Sequence, residues 1–419
     1  MKVAELIREY LLLGLRFDRV ECGYVDSFIG DPALKRVVQD EPAPDPAELA
    51  SQAERLLAAL PDVPRHGGFD EMRADYIGAH LRALSCAGRK FAGQPVGFVD
   101  EVHAYFDVRI SKGDTAAYRD AHARLDDLLG GTGALADRMA AYRSGEQIPP
   151  QRLAECIAAF SSALRDRVRA DYPLPERETV TYEVVTDKPW SGFNYYLGDY
   201  RSTVAVNAEV KQLMSQLPRL VAHESYPGHH TEHCRKEAGL VRRKGQAEQT
   251  IFLVNTPQCL MAEGLADLAL YTAIGPRWGR WAADIYADLG LRFDGERAEA
   301  IADATAALAG VRQDAALMLH DEHRDVDDVA AYLRRWLCVP DDRARQMLRF
   351  LLSPLWRAYT STYVEGYRLL RAWLDQRPDD VSLVERFGRL LDEPLIPSAL
   401  QSGDDAERAR VPQRSEGTR

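Results

Sequence analysis

The chain has 419 residues, 46% of them apolar and 28% charged, with a formal net charge of −11. That size and apolar content suffice for one large helical body or for two or three domains. The acidic balance excludes a binder of nucleic-acid backbone, which needs a basic footprint, and no apolar run reaches the roughly 18 residues needed to span a membrane.

The start, Met1 to Tyr10, is charged and periodic and has no secretory leader pattern. Leu6, Tyr10 and Leu13 recur at helical spacing, with Gly14 a weak stop because Leu15 and Phe17 continue the run. Gly30-Asp31-Pro32 interrupts more firmly. Asp45-Pro46-Ala47-Glu48 opens the next helix, with Asp45 as cap and Pro46 at the first helical position. Helices are expected over Asp70–Gly88, Thr115–Leu129, Leu135–Gly145 and Pro149–Ala170. Between Pro173 and Asn207 the pattern changes. Val180, Tyr182, Val184 and Val185, then the aromatic, turn-rich Ser191–Tyr200, then Val204 to Val206, predict a small antiparallel sheet. Asn207 either binds a substrate carbonyl or caps the following helix. The rest reads as helical, with a long helix over Ala302–Asp321, shorter ones over Asp327–Trp336 and Thr362–Leu374, and one over Arg343–Tyr359 interrupted at Pro354.

The expected fold is mostly α: a large helical body with a small antiparallel β-sheet beside the metal-binding helix. Residues 1–172 are expected to form an N-terminal helical region and one cleft wall. Residues 173–402 would carry the sheet, the metal helix and the C-terminal helices, and 403–419 a disordered polar tail. Cys22, Cys86, Cys156, Cys234, Cys259 and Cys338 have no motif spacing and read as reduced thiols. With the absent leader they predict a cytoplasmic protein.

The chemistry concentrates in His223-Glu224-Ser225-Tyr226-Pro227-Gly228-His229-His230. Histidines four apart on a helix can share a zinc ion, but the fourth position after His223 is Pro227. His230 is seven residues on and about 10 Å away along a straight helix. The helix must therefore bulge or break after Glu224, which Pro227 explains by breaking the hydrogen-bond ladder and Gly228 by its freedom. With Pro227-Gly228 looped out, His229 falls beside His223, leaving His230 to face the cleft as a catalytic donor. The reverse assignment of His229 and His230 stays open. His233 reads as a supporting or surface residue, and Cys234 is a poor alternative ligand beside an available carboxylate.

This stretch resembles the HExxPGHH motif of the DUF885 family, bacterial proteins placed near the gluzincin metallopeptidases. The resemblance spans about Tyr182 to Arg371. It implies a glutamate from a second helix as third metal ligand, matched here by Glu263 in Met261-Ala262-Glu263-Gly264-Leu265-Ala266, where Leu265 replaces the family's usual tryptophan. It also matches Tyr363-Val364-Glu365-Gly366-Tyr367-Arg368 to a late Tyr-rich helix.

The expected site is thus a Zn2+ ion, with Mn2+ or Fe2+ as alternatives, on His223, His229 and Glu263. Glu224 is the expected general base. Asp267, one turn after Glu263, either fixes a ligand histidine's tautomer or is a partly buried helix carboxylate. His230, Tyr363 and Tyr367 are candidate oxyanion donors. Arg357 and Arg368 are either clamps for a substrate carboxylate or members of surface ion pairs. These assignments predict hydrolysis of a peptide or amide bond in a small substrate. A metal-dependent biosynthetic enzyme that cleaves no peptide bond is the alternative, and a scaffold with a vestigial site the third reading. Neither a nucleic acid nor a membrane is expected as partner, and the oligomeric state is left open.

Overall fold

The computed structural model describes residues 1–186, 192–209 and 211–401. The tail at 403–419 lies outside the described residues. The N-terminal part consists of α1 (Val3–Val20), β1 (Val25–Phe28), α2 (Pro32–Asp40), α3 (Pro46–Ala59), α4 (Glu71–Phe91), α5 (Phe98–Phe106), α6 (Thr115–Leu129), α7 (Leu135–Gly145) and α8 (Leu153–Asp171). Asp31, Asp45, Asp70 and Asp114 each accept a backbone N–H of the helix they open, so four starts are fixed by short acidic caps. Gly14 does not stop α1, which continues to Val20 and buries Leu15 and Phe17.

β2 (Thr179–Val185), β3 (Gly192–Gly198) and β4 (Arg201–Asn207) form the sheet, in the order β2-β4-β3. β3 and β4 make an antiparallel hairpin, whereas β2 runs parallel to β4. The β3–β4 corner at Asp199-Tyr200 has positive φ at both residues, the geometry that matches hairpin turns to strand twist. A second, two-stranded sheet pairs β1 antiparallel with β5 (Ile251–Leu253).

α9 (Leu217–Glu224) and α10 (His229–Lys236) carry the histidine motif, followed by α11 (Pro257–Ile274), α12 (Trp278–Asp288) and α13 (Gly295–Ala306). The chain closes with α14 (Val311–His320), α15 (Val326–Leu337), α16 (Asp341–Leu352), α17 (Thr360–Asp375), α18 (Leu383–Asp392) and α19 (Pro397–Gln401). The helix expected over Ala302–Asp321 is two helices, broken at residues 307–310. Just beyond the break, Tyr118 of α6 donates to Asp314 at 2.9 Å.

One apolar cluster includes residues from Leu6 to Ile396. It crosses residue 172, where Phe160 of α8 packs on Trp281 and Tyr286 of α12. Within it α11 and α17 cross closely at two glycines. A Cβ on Gly264 would lie 2.5 Å from the backbone of Gly366, and one on Gly366 2.5 Å from the Leu260 carbonyl. This crossing sets Tyr359 and Tyr363 against Glu263. No described helix is long and apolar enough to cross a membrane.

Candidate metal centre

α9 ends at Glu224 and α10 begins at His229, so the histidine motif is split as the proline predicts. Between them the chain folds back until the Gly228 N–H donates to the Ala222 carbonyl at 3.0 Å. A Cβ at Gly228 would stand 1.9 Å from the His223 carbonyl oxygen. Gly228 has φ −74°, so glycine is required there by space and not by a left-handed backbone.

The fold-back brings His229 Nε2 to 3.1 Å from His223 Nε2. Glu263 Oε2 lies 3.3 Å from His223 Nε2 and 3.9 Å from His229 Nε2. These three residues form a His/His/Glu cluster able to hold a divalent ion. The fit is supported by an orphaned atom: Glu263 Oε2 is buried with no well-formed hydrogen bond, an arrangement that is costly unless a cation completes it. The other oxygen, Oε1, accepts from Tyr359 at 2.6 Å. His223 Nδ1 lies 3.0 Å from Asp267 Oδ1, so the Nδ1–H donates to Asp267 and the Nε2 lone pair is left for a metal.

Charges within the cluster are coupled. Burial alone would depress the His223 pKa, but the neighbouring carboxylates of Asp267 and Glu263 raise it well above the ordinary value. Burial would raise Glu263, yet His223 and His229 outweigh it and lower the carboxyl. Glu224 is raised, by burial first, with His223 and His229 opposing and Glu263 adding to the shift. Its backbone carbonyl accepts from Asn194 Nδ2 at 2.6 Å, and a Cβ on Gly192 would come 3.2 Å from its Oε1. The start of the edge strand β3 therefore borders the Glu224 carboxylate.

Several expected site residues are placed differently. His230 does not face the cleft. It is fully buried, with Nε2 3.0 Å from Glu178 Oε2 and Nδ1 2.8 Å from Ser202 Oγ. Cys234 Sγ sits against His230, away from the cluster, and His233 stacks on Tyr196. Asn207 is buried at the end of β4, and its Oδ1 accepts from the Glu209 N–H at 3.0 Å. It caps no helix, because α9 begins only at Leu217. Arg357 is committed to the fully buried Glu101, and Arg368, itself exposed, pairs with the buried Glu365 of α17. Tyr363, 37% exposed, borders the cluster, and its phenol is raised by burial and then by Glu263, Asp267 and Glu224. Tyr367 is one turn farther along α17 and packs against the main core.

Two residues near the cluster have no motif. Tyr359 immediately precedes α17 and holds Glu263. Asp26 is the extra residue of a β-bulge, since Val25 pairs with Leu253 and Ser27 with Phe252. Bulges re-aim a side chain, and Asp26 feels both Glu263 and Glu224. Burial and these two charges push its carboxyl up to about 7. In the metal-free protein Asp26 thus stays neutral in the fold while its unfolded counterpart ionises near 4. The resulting loss of stability is absent below pH 4, grows as pH rises, and is complete above pH 7. Asp26→Asn should raise the stability of metal-depleted protein by about 1–3 kcal/mol at pH 8 and leave it unchanged at pH 4. Denaturant titration at the two pH values checks this, and equal effects at both would contradict it.

No family model matches the chain, and no curated protein is similar to it. Among solved structures, a candidate lipoprotein from Colwellia psychrerythraea aligns over 86% of this chain with 13% identity and a TM-score of 0.54. This chain covers 66% of that protein's length. A candidate lipoprotein of unknown function from Shewanella oneidensis aligns over 85% of this chain and 72% of its own, with 12% identity and a TM-score of 0.50. An M32 carboxypeptidase from Deinococcus radiodurans R1 aligns over 95% of this chain and 94% of its own, with 14% identity and a TM-score of 0.44. The first two likenesses are of fold.

Proposed function

We propose that the chain is a zinc-dependent hydrolase of gluzincin type that cleaves a peptide or amide bond in a small substrate. The observation that carries this reading is the convergence of His223, His229 and Glu263 beside the buried carboxylate of Glu224. Two imidazoles and one carboxylate are a borderline donor set suited to zinc. A divalent ion bound there would supply Lewis acidity and an acidified water.

The remaining work falls to the chain's own groups. Glu224 takes a proton from water and passes it to the leaving nitrogen, a role helped by burial, which raises its carboxyl above the ordinary carboxylate range. Tyr363 offers its hydroxyl to the charge that develops on the carbonyl oxygen. Asp267 and Tyr359 hold His223 and Glu263 in place. β3 lies at the edge of its sheet, where an extended substrate adds as a further strand.

Purified protein is expected to carry about one zinc ion per chain, since a single donor cluster of this kind is present among the described residues. It should also hydrolyse members of a panel of acyl-dipeptides. Glu224→Gln should keep the metal and lower turnover by about 10²–10⁴-fold, because an amide cannot accept the proton. Metal analysis and single-substrate kinetics on both proteins test the reading. Undiminished turnover by Glu224→Gln would remove Glu224 from the base role.

A further inference from the structure

On the α14 side of the cluster stands a cation with no bonded partner among the described residues. Arg312 occupies the first turn of α14. Next to it, Gln313 Nε2 donates to Glu365 Oε1 at 2.8 Å, which ties the start of α14 to α17 two residues beyond Tyr363. The guanidinium is close enough to interact with the charges of Tyr363, Asp267 and Arg343. Among the described residues its side chain makes no hydrogen bond or ion pair, and Asp267 is already engaged with His223.

The surroundings hold charges of both signs, for Asp267 faces Arg312 and Asp342 faces Arg343, but a second guanidinium stands beside the first. Arg343 lies in the first turn of α16, half-buried, with a bond to Gln346. Behind it Arg143 donates to the carbonyls of Cys338 and Leu337 at 2.6 and 3.1 Å. Cations in the first turn of α14 and of α16 oppose the helix macrodipoles, so helix stability does not account for either. Arg312 is open to water, yet protein packs around it closely enough that burial lowers its pKa. A partly desolvated guanidinium attracts an anion more strongly than one on the open surface. In a chain of net charge −11, two neighbouring guanidiniums, one of them without a bonded partner among the described residues, favour an anionic ligand.

We propose that Arg312, backed by Arg343, is the carboxylate-recognition element of the site, and that the substrate is a small acyl-amino acid or peptide held by its free α-carboxylate. The inference rests on the hydrolytic reading of the His223–His229–Glu263 cluster. It adds that the bond broken is the amide next to the anchored carboxylate. In that step the C–N bond breaks, the acyl carbon takes the hydroxyl of water, and the nitrogen takes the proton that Glu224 received. The guanidinium suits the anchor because it makes paired hydrogen bonds to a carboxylate.

The test uses full-length Glu224→Gln protein, which should bind substrate without turning it over. N-acetyl-glycyl-phenylalanine and its C-terminal amide are titrated calorimetrically into this protein and into the same protein carrying Arg312→Met or Arg312→Lys. The free acid should bind better than the amide. Arg312→Met should weaken the acid by about tenfold, the scale of a lost charged hydrogen bond, and leave the amide unchanged, while Arg312→Lys should recover part of the loss. Arg312 makes no internal bond, so both variants should melt with their parent. Equal binding of acid and amide, no saturable binding of the acid, or an unchanged ratio in Arg312→Met would overturn the assignment. If the wild-type protein holds no metal or hydrolyses nothing while the ratio still depends on Arg312, the hydrolase reading fails and the anion site stands.

Discussion

Replacing Gly228 with valine is expected to abolish metal binding and leave the helical body folded. The reason is local. A Cβ at this position would sit 1.9 Å from the His223 carbonyl oxygen and 2.5 Å from that of Ala222. Both are backbone atoms of α9 and cannot rotate aside. Either the Gly228 N–H bond to Ala222 is lost or α10 moves away from α9. Either change separates His229 Nε2 from His223 Nε2, now 3.1 Å apart. Metal sites tolerate displacements of only about 0.5 Å. Metal affinity should therefore fall by at least about 100-fold, beyond what loss of a supporting contact produces. The rest of the chain should lose about 1–3 kcal/mol, the scale of local overpacking. Alanine should act in the same direction, since its Cβ makes the same contact. Metal analysis with thermal denaturation of the variant tests this. A fully loaded Gly228→Val protein would show that the close approach is not needed for coordination.

The His/His/Glu cluster was legible because its members announce themselves by type and spacing. His223 and His229 flank a Pro-Gly break, and Glu263 sits in a recognisable helical segment. The need for a fold-back followed from Pro227 alone, although the role of Gly228 proved to be space and not positive φ. Residues outside the motif were harder to place. Tyr359 and Asp26 reach Glu263, and Arg312 reaches Asp267 and Tyr363, from elements remote in sequence, and a lone tyrosine, aspartate or arginine gives no periodic signal. Arg357, read as a substrate clamp or an ion-pair member, pairs with Glu101, a partner 256 residues away that no local pattern announces. The sheet was visible from alternation, but alternation does not reveal strand order. β4 lies between β2 and β3, so β2 must join it in parallel. The β1–β5 pair was missed because strands of four and three residues are too short for period-two patterning to register.

His229 and His230 are adjacent, yet alanine at each is expected to fail in a different way. His229 places its Nε2 in the His/His/Glu cluster that could hold a metal ion. His229→Ala should lose the metal and retain most of its stability, because the ring is partly exposed. His230 serves Glu178, a fully buried carboxylate on the opposite side of α10. Glu178 also accepts from Arg165 at 2.8 Å, Arg169 at 2.6 Å and Tyr226 at 2.8 Å. Burial would raise its pKa, but bonds from His230, Tyr226 and Arg165 outweigh this and lower it to about 2. Glu178 thus grips Tyr226 and His230, one on each side of the Pro227-Gly228 turn. Removing the His230 ring opens a void and takes one donor from a buried charge. The two arginines remain, so the cost should be about 2–3 kcal/mol, below that of stripping a buried ion pair. His230→Ala should therefore bind zinc, less tightly if the turn loosens, and unfold at lower denaturant concentration than the wild type. Parallel zinc titration and urea denaturation of the two variants distinguish the roles. If His230→Ala lost zinc outright at wild-type stability while His229→Ala remained loaded, the ligand would be His230 and the register of the turn would be shifted by one residue.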